Sequence, residues 1–276
     1  MAISCPTKRM AQNSLKIKLQ DLECHFTWKL DCSRSKLESL RETLIDIISS
    51  EGVQCSWTGQ LYNFLAYLHH TLGSREDALQ YLKKAEEAIR LNSPDDVELS
   101  LVVHYGNLAW VHYHQGELTE SQTYVEKVGR LLRDNPSTCP GVVWGERAWT
   151  LNKFDVSKKA EALHCFWMAL KGTLRTRELD PEDLYITVMY LQRLAESGQV
   201  EEARKLAEEV IEKPLDSFGG FGILLSFFRE YVSHDSSIDL VRRTLERHPD
   251  SRQLKKHLAQ CVTSGRFSLK KRKGTQ

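Results

Sequence analysis

Ten histidines and seven cysteines are the residues from which this chain could build a metal site or a nucleophile. Their spacing supplies neither. His69-His70, His104, His112 and His114 recur at helical offsets. No His-Glu-x-x-His string occurs, however, and no carboxylate or cysteine accompanies them at metal-ligand spacing. Cys5, Cys24, Cys32, Cys55, Cys139, Cys165 and Cys261 are scattered, odd in number and form no Cys-x-x-Cys pair, so they read as small buried apolar residues. Phe218-Gly-Gly-Phe-Gly222 is glycine-rich, but no strand precedes it and it lacks both Gly-Lys-Ser/Thr and Gly-x-Gly-x-x-Gly. It reads as an irregular connection or hinge. No Ser/His/Asp or Cys/His set stands out, and the expectation is a protein without catalytic residues, metal or cofactor.

Cationic chemistry is the stronger signal. Residues 153–177 hold six bases, Lys153, Lys158, Lys159, Lys171, Arg175 and Arg177, against Asp155 and Glu161. That pattern suits either a solvated surface or a path for phosphates. The end of the chain, residues 266–276, adds Arg266, Lys270, Lys271, Arg272 and Lys273 and no acid. Such a tail gives salt-sensitive affinity for RNA by counterion release, an import-like patch, or flexible charge alone. The net charge of +1 therefore combines a basic terminus with a body of 33 bases and 37 acids.

The elements that must carry these groups are helices. The chain has 276 residues, enough for one large domain or two smaller ones. Leu15, Leu19, Leu22 and Phe26, then Leu37, Leu40, Leu44 and Ile48, recur at helical spacing, and strand-like alternation is scarce. No apolar run approaches the roughly 20 residues of a membrane span, and the start lacks the apolar stretch of a secretory signal. A cytosolic protein is expected.

Internal repetition sharpens the reading. Asn63-Phe-Leu-Ala-Tyr67 and Asn107-Leu-Ala-Trp-Val111 precede Gly73 and Gly116, and each glycine stands five residues before a small residue, Ala78 or Ser121. Tyr81-Leu-Lys-Lys-Ala85 and Tyr124-Val-Glu-Lys-Val128 follow. A third copy places Gly198 five before Ala203, with Leu206, Ala207 and Val210 after it. Small residues belong where two helix backbones nearly touch, and glycine belongs where a helix ends left-handed.

This is the tetratricopeptide pattern, and it predicts an all-α, right-handed superhelix of helix-turn-helix repeats with a concave binding face lined by first helices. A weaker unit is read at 141–174, with Glu161, Ala162, Cys165, Phe166 and Ala169 on its second helix, and a fifth at 221–249. The expected organisation is N-terminal helices over 1–50, four to five repeats over 51–250, a capping helix over 251–265 with Leu254, Leu258 and Cys261 on one side, and a basic flexible tail over 266–276. Gly73 and Gly116 lie 43 residues apart, longer than the usual repeat of about 34. This predicts a longer helix or connection around Asn92 to Asp96.

Cys24-His-Phe-Thr-Trp28, Asn63-Phe-Leu-Ala-Tyr67, Gly106-Asn-Leu-Ala-Trp110, Tyr113-His-Gln-Gly116, Ser121-Gln-Thr-Tyr124 with Lys127-Val128, and Cys139-Pro140 leading to Ala148-Trp149 occur in that order. Together, over about residues 14–180, they resemble the interferon-induced proteins with tetratricopeptide repeats. The resemblance implies a cytosolic antiviral effector. Its RNA-binding members hold single-stranded 5′ ends, triphosphate or capped, in a positively charged tunnel, interfering with translation or replication of the RNA. It implies base or cap stacking for Trp149 and a phosphate contact for Lys153, four residues on. Lys159 extends the basic segment, and Arg193 stands near a family arginine whose own position is taken by Leu191. Where RNA-binding members carry an arginine and a glutamine in the early helix, this chain has Thr43 and Ile47. The other reading is a scaffold of the same type without RNA affinity, recruiting signalling or translation proteins or pairing with a sibling repeat protein.

Overall fold

A computed structural model describes residues 6–30, 33–49, 57–92, 97–135, 139–173, 181–211, 221–252 and 254–261. Every regular element among them is helical. The chain divides into two compact units, Met1–Gly172 and Thr173–Gln276.

In the first unit, α3 (Thr58–Leu72) pairs with α4 (Arg75–Asn92), and α6 (Val102–Gln115) pairs with α7 (Leu118–Asp134). Gly73 and Gly116 end α3 and α6 at φ of +97° and +83°. Both turns close in the same way. Gly73 N–H donates to His70 O and Ser74 N–H to His69 O, while Gly116 N–H donates to Tyr113 O and Glu117 N–H to His112 O. This double bond satisfies carbonyls that a helix end would otherwise leave unpaired, and an L side chain in that conformation costs about 1–2 kcal/mol. Ala78, Ala85 and Ala109 are fully buried where the paired helices touch, as is Ser121, whose hydroxyl donates to Ala109 O at 2.8 Å. The extra length between the repeats lies partly in α4, which runs 18 residues to Asn92, and partly in the single turn α5 (Val97–Ser100).

Preceding these hairpins, α1 (Pro6–Gln20) packs on α6 and α7 through Leu15 and Leu19, and α2 (Arg34–Ser49) packs on α3. A last hairpin follows, α8 (Cys139–Phe154) and α9 (Lys159–Thr173). It has no turn glycine. Asp155 instead accepts Ser157 N–H at 2.8 Å and pairs with Lys36 of α2. The Lys36 ammonium, helped by that backbone N–H, holds the Asp155 carboxyl down at about 2.

In the second unit, α10 (Pro181–Glu196) and α11 (Val200–Ile211) form the third glycine-turned hairpin, with Gly198 at φ +93° and Ala203, Ala207 and Val210 buried. Next comes α12 (Phe221–Phe227), which runs into a π-helical turn, Phe228–Val232, and then α13 (His234–Arg247). The Ser233 hydroxyl caps α13 by accepting Ser236 N–H at 3.0 Å. Within the helical stretch 254–261, Leu254 and Cys261 are buried and the His257 ring lies 6.0 Å from Phe221. Arg175, Arg177, Phe218 to Gly220 and the basic tail lie outside the described residues.

Candidate functional site

The inner side of a tetratricopeptide array is the expected binding face, and the polar groups buried in the first unit gather around residues 21–30. Thr27 folds this segment on itself, its hydroxyl donating to Leu22 O at 2.6 Å and accepting Cys24 N–H at 3.1 Å. Lys29 takes a left-handed φ of +54°, which lets both flanking side chains, Trp28 and Leu30, turn inward and become buried. Gly106 of α6 admits the segment, since a Cβ there would lie 2.8 Å from the Cys24 Cβ. The Tyr67 hydroxyl donates to Leu30 O at 3.2 Å, and the Trp28 indole N–H donates to Glu23 at 2.9 Å.

At the centre stands His25, fully buried. Asn107 Oδ1 accepts its backbone N–H at 3.3 Å, so Asn107 Nδ2 is the group that donates to His25 Nδ1 at 3.0 Å. That assigns the ring proton to Nε2, which faces the Thr150 hydroxyl at 3.2 Å and lies 4.0 Å from Glu146 Oε1. Glu146 accepts Asn63 Nδ2 at 3.0 Å, and Asn63 Oδ1 in turn accepts from His104 Nδ1 at 3.1 Å. Burial pushes the imidazoles down, His25 to about 3 and His104 to about 4, so both are neutral near pH 7. A buried polar network of this kind is stable only when its members are paired. Here α3, α6, α8 and the 21–30 segment each supply partners.

Residues 21–30 are thus part of the core of this unit, bonded to α3, α6 and α8. His25, Asn63 and Asn107 find hydrogen-bond partners within the chain, whereas His104 Nε2 and Gln60 Oε1 have none among the described residues. Sequence reading missed Asn63, His104, Asn107, Glu146 and Thr150. The available signal was the asparagine that opens both Asn63-Phe-Leu-Ala and Asn107-Leu-Ala-Trp, a polar residue on an otherwise apolar helix face.

Trp149 lies in this interior at 3% exposure, with its ring edge-on to Phe64 at 6.3 Å. Glu146, Trp149, Thr150 and Lys153 follow one another along one stripe of α8, at i, i+3, i+4 and i+7. The stripe thus runs from the buried network to an exposed lysine at the end of the helix. Lys159 is the first residue of α9 and half-buried. Arg193 belongs to the second unit, on α10, where it pairs with Glu196. Of the two positions that differ from the RNA-binding pattern, Thr43 is exposed, its hydroxyl donating to Ser39 O at 2.9 Å, and Ile47 is half-buried.

His70 and His114 pair between neighbouring repeats, while His112 stays within its own. The rings of His70 and His114 stack at 4.9 Å with Nε2 and Nδ1 2.9 Å apart, and His112 bonds Glu117. Among the described residues no group of three His, Cys, Asp or Glu side chains could hold a metal ion. Cys24, Cys165 and Cys261 are buried free thiols, and burial raises Cys24 to about 12 and Cys165 to about 11. No described helix is long and apolar enough to cross a membrane.

Three glycine-turned hairpins with small residues at their contacts define a tetratricopeptide-repeat protein. No model of a known protein family matches the chain. Curated relatives do. Human IFIT1 homolog B is 29% identical and covers 91% of this chain, human interferon-induced protein with tetratricopeptide repeats 2 is 28% identical over 94%, and the human antiviral innate immune response effector IFIT1 is 26% identical over 94%. The chain spans 61–62% of the length of these relatives. A solved monomeric mutant of IFIT1 with m7Gppp-AAAA is 25% identical at a TM-score of 0.55, covering 95% of this chain and 65% of its own. The human IFIT1 dimer with m7Gppp-AAAA is 25% identical at 0.53, covering 93% and 64%. The chain is a homologue of the interferon-induced proteins with tetratricopeptide repeats, the family its residue pattern resembles.

Proposed function

We propose that this protein binds the 5′ end of single-stranded viral RNA, triphosphate or capped, as an interferon-induced antiviral effector in the cytoplasm, and so interferes with translation or replication of that RNA. The observation that carries the reading is the likeness, at 25% identity over 93–95% of the chain, to IFIT1 structures holding m7Gppp-AAAA. The stripe on α8 supports it. Trp149, buried against Phe64, anchors this part of α8, and Lys153 stands exposed one turn further on. Lys153 and Lys159 are the phosphate contacts of this reading. Arg193, already paired with Glu196, contributes least.

Titration of the whole protein with short single-stranded RNA bearing 5′-triphosphate, cap or 5′-hydroxyl, at low and high salt, tests the reading. A preference for triphosphate or cap is expected, and it should weaken by about tenfold in Lys153→Glu, a charge reversal beside a phosphate. Thr43→Arg with Ile47→Gln should strengthen it, by restoring the side-chain types of the RNA-binding pattern. Binding that ignores the 5′ end and disappears in a chain ending at Gly265 would sink the proposal.

One observation favours the second reading, a protein-binding scaffold without RNA affinity. The interior of the first unit is filled by residues 21–30, and Trp149 is buried rather than presented. Under that reading none of the three RNAs binds, and partners are signalling or translation proteins, a sibling repeat protein or a second copy of the chain.

A further inference from the structure

The outer side of the α8/α9 hairpin carries an arrangement that 5′-end recognition leaves unused. Along α9, Ala160, His164, Trp167 and Lys171 fall at i, i+4, i+7 and i+11, and all four are exposed. They share one stripe facing water. The intervening Ala162, Cys165, Phe166 and Leu170 are buried, which fixes the orientation of the helix. The stripe contains no acid, and Lys158 and Lys159 stand at its N-terminal end.

Trp167 is 43% exposed. Its ring stacks on His164 at 6.3 Å and 28°, and His164 meets Trp144 of α8 edge-on at 6.1 Å. The Lys171 ammonium lies 5.4 Å from the centre of Trp167, and the Arg147 guanidinium lies 5.4 Å from the centre of Trp144. Arg147 is held there by Glu23 and Glu161 at 3.1 and 3.0 Å. Glu161, the one carboxylate of α9, is thereby engaged by Arg147 and by Lys158. The surface is thus a row of three aromatic rings with a cation at each end.

We propose that Trp144, His164 and Trp167, flanked by Arg147 and Lys171, form a stacking platform for unpaired bases of single-stranded RNA. Every base has a π face, so a row of rings accepts bases with little regard to sequence; the exposed Lys171 ammonium takes a phosphate, and Arg147, held by Glu23 and Glu161, braces Trp144. A protein anchor residue is instead set in a well-packed pocket depleted of charge, whereas this row lies open between lysines. The platform needs no 5′ group, so it stands or falls apart from the 5′-end reading.

The test uses the whole protein and a labelled 5′-hydroxyl oligouridylate of about 20 nucleotides, longer than the roughly 4–16 nucleotides of a usual single-strand site. Fluorescence anisotropy at about 50 and 200 mM salt gives its affinity. Trp167→Ala should weaken binding about tenfold, Trp167→Phe should hold it near the parental value, and Lys171→Glu, which keeps every ring, should weaken it too. A 5′-triphosphate tetranucleotide should bind Trp167→Ala within about twofold of the parental protein. The proposal is overturned if the parental protein does not bind the oligouridylate, if a chain ending at Gly265 loses all binding, or if Trp167→Ala binds it unchanged. Unchanged RNA binding together with a lower solution mass in Trp167→Ala assigns the row to contact between copies and also overturns it.

Discussion

Toward the interior of the first unit, Glu146 and Thr150 of α8 meet Asn63 and His25, and Trp149 is braced by Phe64. On the outside of the same hairpin, His164 meets Trp144 edge-on and stacks on Trp167, beside Arg147 and Lys171, with Trp167 43% exposed. Both sides offer rings and polar groups. They differ in who supplies the partners. Inside, the chain brings its own segment 21–30, so the polar groups there fix the packing of three helices. Outside, His164, Trp167 and Lys171 are exposed to another molecule, while Arg147 is held by Glu23 and Glu161. The content of a binding surface is thus set less by residue type than by whether the fold has already used the residue.

Substitutions on the two sides should separate accordingly. The largest effect is expected from Trp28→Ala, which empties the space filled by a side chain at 1% exposure and frees Glu23 from its indole. A loss of about 3–5 kcal/mol is expected, read as a large drop in chemical-denaturation midpoint. A loss below about 1 kcal/mol would mean that segment 21–30 is not part of the core.

Acidification comes next. His25 and His104 have folded values of about 3 and about 4, below the ordinary 6.5. Between pH 6.5 and 4 the unfolded chain therefore binds protons that the folded chain does not. Stability is full above about pH 6.5 and falls as the pH drops through that window, by about 1.4 kcal/mol per pH unit for each histidine. Melting curves from pH 7 downward should show the midpoint falling, and a flat profile to about pH 5 would break the network assignment.

The smallest effect belongs to the outside. Trp167→Ala should change stability by less than about 0.5 kcal/mol, since its ring is 43% exposed and its ring contacts among the described residues are with His164 and Lys171 on the surface. A drop comparable to that of Trp28→Ala would erase the contrast between the two sides.

The hairpins were legible from local signals. Gly73, Gly116 and Gly198 announce left-handed helix ends, and Ala78, Ser121 and Ala203 announce close helix contacts five residues later, because both constraints act within a few residues. The α8/α9 hairpin was fainter because Asp155, Ser157 and Lys36 replace the glycine, and Lys36 lies 119 positions away. The filling of the interior was not legible, since a histidine before the repeats gives no hint of partners on α6 and α8. For Trp149 a first-helix position suits core packing as well as stacking, and the structure buries it against Phe64. On α9 the basic residues stood out in the sequence, while the alignment of His164 and Trp167 with Lys171 emerged only once the buried face was known.

The pairing of His25 with Asn107 and Thr150 also sets an order of assembly. Its partners lie 82 and 125 positions along the chain. The glycine-turned hairpins close short loops and can form as they are made, whereas residues 21–30 must wait until Thr150 has been synthesised. Until then Asn63 and Asn107 face water from an unfilled inner surface. The contact of residues 21–30 with α6 and α8 is therefore a long loop closure, slow compared with hairpin formation.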